Sequence, residues 1–184
     1  MIYERSDSGG IPFRLSYGVI MSFAMAQIPP EIFGELLPRA AAWAAIQEQF
    51  ILGHKESRIL GPQGQEFARR AGVTRPEDVR VLAVSEIPLP EEADLRQAAQ
   101  AFGLITQGTA GLAIGHGIFV RKECANDAKL VAHELMHVAQ YERHGSILAF
   151  LQRYLSECNE FGYPAAPMEQ EAVAFADQVF PRQI

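Results

Sequence analysis

Apolar positions along this chain recur mainly at three- and four-residue intervals, the spacing of helices with one buried face. Pro29 and Pro30 open the first such run, which continues to about Leu52. Ile32, Phe33, Leu36, Leu37, Ala40, Trp43, Ala44, Ile46 and Phe50 fall on or near one face of it. The stretch Gly61, Pro62, Gln63, Gly64 breaks the pattern, and a short helix fits residues 65–71. The rhythm then changes. Residues 78–87, DVRVLAVSEI, are rich in β-branched side chains and stop at Pro88, which predicts a strand. Residues 91–102 return to helical spacing. Residues 111–122, GLAIGHGIFVRK, alternate, with glycines on both sides of His116, and predict a bent strand or a tight hairpin.

The next run, residues 126–141 (NDAKLVAHELMHVAQY), reads as one helix capped by Asn126 or Asp127. Leu130, Val131, Leu135, Met136, Val138 and Ala139 give it so wide an apolar surface that burial follows. Gly145 suits its C-cap. Residues 146–161 predict another helix, with Leu148, Leu151, Tyr154 and Leu155 facing inward. Gly162, Tyr163 and Pro164 turn the chain toward a last helical stretch, residues 167–176. No internal repeat is present, and 184 residues fit a single α+β domain with a sizeable core. Its first part, 1–75, is mostly helical support. Residues 78–184 carry the sheet and the helices with the candidate chemistry.

That chemistry starts at residues 133–137, His-Glu-Leu-Met-His. Histidines four apart on a helix project from one face, so His133 and His137 can share one Zn²⁺. Glu134 stands beside the first of them, within reach of a water at the metal, and suits the role of general base. Buried histidines next to a buried glutamate also need a partner, which a metal supplies.

A catalytic zinc has three protein ligands. The segment Pro167, Met168, Glu169, Gln170, Glu171, Ala172 offers two acidic candidates, which diverge by about 200° on a helix. Met168, Ala172, Phe175, Ala176 and Val179 define the inward side. Glu169 lies nearer its centre, with Ala172, Val173 and Ala176, so Glu169 is preferred and Glu171 is the alternative.

HELMH followed by Glu-x-x-Ala resembles the gluzincin metallopeptidases, and more closely the small bacterial HELxHxxQ zincin-like domains. The matching residues are His133, Glu134, His137, Gln140 and Tyr141, with Pro167, Glu169, Glu171 and Ala172 in the tail. The resemblance covers roughly residues 110–180 and is specific at the two motifs. It implies a zincin-like α+β fold, a small sheet beside the HExxH helix, and a following helix that bears the third ligand. It also implies a zinc metallopeptidase acting on a peptide or protein, with the strand at 111–122 along its cleft. The gluzincin pattern again selects Glu169, three residues before Ala172. Many gluzincins carry an aspartate after that alanine, which orients a zinc-bound histidine. Here Val173 takes the position, so another group must do so. The rival expectation is a zinc-stabilised interaction module without turnover.

Composition narrows the partners. The net charge is −6 with no basic stripe, which argues against nucleic acid. Cys124 and Cys158 lack metal-site spacing and read as reduced core residues, in keeping with a cytoplasmic setting. Cys124 as a fourth ligand would close the metal site. Residues 11–28 are apolar and end in Ala-Met-Ala-Gln, so export by a signal is the alternative, though Glu4, Asp7, Ser16 and Ser22 argue against it. No run is long enough to span a membrane. His116 reads as a turn residue rather than a substrate contact, His144 as a helix C-terminal group, and His54 as solvated. Tyr163 has two readings, packing in the core or stabilising an oxyanion at the cleft.

Overall fold

The computed structural model describes residues 30–101 and 103–181. The apolar segment 11–28, its signal-like reading and the side chain of Ile32 lie outside them. Among the described residues, six helices and a four-stranded sheet make an α+β arrangement. In chain order these are α1 (Pro30–Gly53), β1 (Arg58–Ile59), α2 (Pro62–Ala71), β2 (Arg80–Val84), α3 (Ala93–Ala101), β3 (Gly111–Ile114), β4 (Gly117–Arg121), α4 (Ala128–His144), α5 (Ile147–Phe161) and α6 (Pro167–Val179). Among the described residues no helix is long and apolar enough to cross a membrane.

The sheet order is β1-β2-β4-β3. β2 and β4 are parallel, and both outer pairs are antiparallel. Residues 111–121 form the tight hairpin, with Ile114 paired to Gly117 across a two-residue loop. Gly115 takes φ +57°, and a Cβ there would run into the Glu48 carboxylate of α1. Glu48 also accepts the His116 backbone N–H at 2.9 Å, which pins the loop to α1.

Strand alternation divides the core between the two sheet faces. Ile118 and Val120 of β4 and Ala113 of β3 point toward Leu130, Leu135 and Val138 of α4, together with α2 and α6. Phe119, Ile114 and Leu82 point the other way, toward Ala44 and Ile51 of α1. The HExxH helix α4 therefore lies under the sheet, with α2, α5 and α6 around it. A third cluster joins Tyr141 to Phe150, Tyr154 and Cys158 of α5.

Several faces differ from those expected. On α1 the buried line is Leu37, Ala44 and Ile51, a seven-residue repeat, while Ile46 and Phe50 are exposed. On α5 Phe150, Tyr154 and Cys158 are buried at four-residue spacing, and Leu148 lies outside that line, exposed. On α6 Val173 is exposed rather than grouped with Glu169. β1 was not expected within the helical first part. Its two residues are both exposed and pair with Val81 and Arg80 of β2.

Candidate metal centre

Helix α4 begins where the Asp127 carboxylate accepts the Lys129 and Leu130 N–H groups, each at 3.0 Å. It ends at Gly145 in the left-handed region. Between these ends, His133 and His137 project together toward α6. Their Nε2 atoms are 3.1 Å apart. Glu169 completes the group, its Oε2 3.5 Å from His133 Nε2 and its Oε1 3.3 Å from His137 Nε2. These three residues could hold a metal ion. Tetrahedral zinc at about 2.0–2.1 Å from each donor needs donor separations of about 3.3–3.4 Å, a range near the 3.1 Å between the two imidazole nitrogens and the distance from each to its nearer Glu169 oxygen. Two imidazoles and one carboxylate are also a catalytic zinc donor set.

Two polar side chains hold the group in shape. The Tyr154 hydroxyl donates to Glu169 Oε1 at 2.6 Å. Gln140, fully buried one turn after His137, makes three contacts. Its amide nitrogen donates to the Met168 carbonyl at 2.9 Å and to Glu171 Oε2 at 2.8 Å. Both of those groups only accept, so the amide orientation follows, and Gln140 Oε1 faces His137 Nδ1 at 2.6 Å. His137 must then carry its proton on Nδ1, which leaves the Nε2 lone pair for a metal. This is the orienting role that Val173, pointing to solvent, does not fill for His137.

Glu171, the alternative ligand, is drawn elsewhere. It accepts from Gln140 and from both terminal nitrogens of Arg143, at 2.8 and 2.5 Å. The structure thus brings Glu169, not Glu171, to the histidines. Met168, just before Glu169, is gripped twice. Its N–H donates to the buried Glu157 carboxylate at 2.8 Å, and its carbonyl takes the Gln140 amide. Tyr163 sits in a single 3₁₀ turn, Tyr163–Ala165, and packs against the Tyr141, Phe150 and Tyr154 cluster. Cys124 and Cys158 are both buried, and neither belongs to the three-residue group. His116 Nε2 donates to Glu142 at 2.9 Å, tying the hairpin to α4.

Electrostatics act differently on each member of the group. Burial pushes His133 down to about 4, so its ring is neutral. Burial also acts against the charged form of His137, but the facing Glu169 carboxylate outweighs it and raises the ring's pKa. Burial would push Glu169 up, yet the two imidazoles hold it well below the carboxylate range. Glu134 behaves differently. It has no exposed surface, and neither carboxylate oxygen finds a hydrogen-bond partner among the described residues. Burial raises it to about 7. Gly111 of β3 lies directly over it, and a Cβ at that position would stand 2.3 Å from Glu134 Oε1. Glycine there lets the strand approach the carboxylate.

Sequence reasoning missed three of these groups: Tyr154 as a hydrogen-bond donor, Gly111 as a spacer and Glu157 as the α6 anchor. Only Tyr154 carried a signal, a hydroxyl on the inward face of α5. Comparisons with protein-family models, with curated proteins and with solved structures gave no match.

Proposed function

We propose that the chain is a zinc-dependent peptidase that hydrolyses peptide bonds with Glu134 as general base. One observation carries the reading. The two histidine Nε2 atoms lie 3.1 Å apart with one Glu169 carboxylate oxygen 3.5 Å from the first and the other 3.3 Å from the second, and a buried carboxylate without a hydrogen-bond partner among the described residues stands on the same helix turn. A buried, unpaired carboxylate costs stability, so it persists where function requires it.

His133, His137 and Glu169 would hold the ion. Zinc, when bound, supplies Lewis-acid chemistry, polarising a carbonyl and making water nucleophilic near neutral pH. Glu134 receives the proton of the attacking water on its carboxylate and passes it to the nitrogen of the departing amine. Burial, which raises the Glu134 pKa in the ion-free chain, favours uptake of that proton. Gln140 keeps the His137 Nε2 lone pair directed at the site, and Tyr154 keeps the Glu169 carboxylate in place. The substrate is a peptide or protein, and a cytoplasmic setting belongs to the same reading.

Glu134→Gln tests it. The variant is expected to keep its fold and bind zinc like wild type, while peptide hydrolysis falls by about 10²–10⁴. Turnover is compared at equal zinc content on a broad peptide library. Zinc-loaded wild type that cleaves nothing would instead identify the site as a zinc-stabilised interaction module.

A further inference from the structure

A cavity of about 140 Å³ opens beside the metal group, bounded by α1, α3, β3, α4 and α5. His137 and Tyr154 belong to both places, lining the cavity while engaging Glu169. Among the described residues no Asp, Glu, Lys or Arg lines it, and the lining side chains that carry a polar atom are Trp43, His137, Tyr141 and Tyr154. Ala40 on α1 and Ala98 on α3 line it beside larger apolar side chains such as Leu36, Leu37 and Leu95. Arg39 of α1 pairs with Glu92 and Asp94 at the start of α3. An apolar space of this size, close to that of a benzene ring, suits one non-polar group.

We propose that this cavity is a binding pocket for one non-polar group, an aromatic ring or a branched aliphatic chain, carried by the molecule that reaches the metal group. Calling that molecule a peptide substrate rests on the hydrolytic reading above; the pocket itself does not. A charged group would be desolvated there with no partner, so Asp, Glu, Lys and Arg side chains are excluded. A non-polar residue next to the hydrolysed bond is selected, since His137 separates the pocket from Glu134 by only three residues of one helix.

Trp43 is the only tryptophan of the chain and lines the cavity, so its fluorescence reports entry. Bromobenzene, a ring of the right size with a heavy-atom quencher, is titrated into the whole protein. Quenching is expected to saturate, and to weaken by roughly tenfold or more in Ala98→Phe and Ala40→Phe, which fill the space from different walls. Two variants guard against one misfolding, and circular dichroism checks both. Quenching that rises linearly without saturation, or saturable quenching indifferent to both variants, overturns the pocket. The second arm compares peptides that differ at one position, Phe or Leu against Asp or Lys. The non-polar peptides should be cleaved with higher kcat/KM, and that advantage should shrink in Ala98→Phe. Saturable, variant-sensitive quenching without any hydrolysis removes the peptidase reading and leaves the pocket. Hydrolysis without saturable quenching removes the pocket and leaves the peptidase.

Discussion

At the scale of single residues, the candidate centre depends on side chains that touch no metal themselves. Gln140 is the clearest case. Its amide nitrogen is committed to two acceptors, so its oxygen must take the His137 Nδ1 proton. Gln140→Ala removes that acceptor and is expected to weaken zinc binding by 10- to 100-fold, the range for a lost ligand partner. Competition against a metal-sensitive chelator dye measures it. The same titration ranks the two glutamates. Glu169→Gln should weaken zinc at least as much as Gln140→Ala. Glu171→Gln should do less, because Glu171 acts only through the Gln140 amide and Arg143. A larger effect at Glu171 would mean that Glu169 is not the ligand. Gly111 makes a different kind of contribution. Its missing Cβ leaves room for the Glu134 carboxylate, so Gly111→Ala should disturb hydrolysis more than zinc affinity. Overpacking of this kind costs about 1–3 kcal/mol in stability, which thermal melts would register.

At the scale of elements, joints between helices and strands do the positioning. Glu142 on α4 accepts the Thr74 N–H at 2.6 Å and the Thr74 hydroxyl at 2.8 Å. It also takes the His116 proton, so one carboxylate joins the turn after α2, the β3–β4 hairpin and α4. Burial pushes its pKa up, but the Thr74 N–H, the Thr74 hydroxyl and His116 outweigh burial and hold it below its ordinary 4.5. A depressed carboxylate stabilises the fold above its unfolded pKa and loses that contribution as pH falls through the folded value. Wild type should therefore lose stability below about pH 4.5 more steeply than Glu142→Gln. Urea melts between neutral and acid pH would show parallel curves if this joint contributes nothing. How much of this was legible in the sequence follows from the range of each signal. α4 carried its own cap, its own periodicity and both histidines, so residues 126–141 placed it. The 111–122 hairpin announced itself by glycines around His116. β1 did not, because Arg58 and Ile59 are exposed and its only pattern is its pairing with β2. Long helices misled in another way. On α1 a wide apolar set hid the narrow Leu37, Ala44, Ile51 line that meets the sheet. The wheel for α6 set Glu169 nearer the inward face than Glu171, and Glu169 is the one buried beside the histidines, yet the wheel grouped Val173 with it, although Val173 is exposed.

At the scale of the whole molecule, the proposed ion would act as a cross-link between α4 and α6. The two helices already meet at both ends, through Lys129 with Asp177 and Arg143 with Glu171, pairs that require an antiparallel course. Both pairs are partly exposed, and such pairs are worth about 0–1 kcal/mol each. Between them on α4 stand His133 and His137, which face Glu169 in the first turn of α6. There the ion-free protein buries two carboxylates: Glu169, held by two imidazoles and the Tyr154 hydroxyl, and Glu134, with no hydrogen-bond partner among the described residues. A divalent cation would bind the first directly and place positive charge near the second. A ligand that binds only the folded state stabilises by about 2.7 kcal/mol at a hundred times its Kd. For a domain of this size each kcal/mol moves Tm by about 2–4 °C, so zinc should raise it by about 5–10 °C. Chelation should reverse the shift, and zinc added back should restore it. His133→Ala and Glu169→Gln should melt at the same temperature with and without zinc. Glu134→Gln should still respond to zinc, because Glu134 is not one of the three donors. A wild-type Tm indifferent to zinc and chelator would rule out the cross-link, and a shift that survives His133→Ala would place the ion elsewhere.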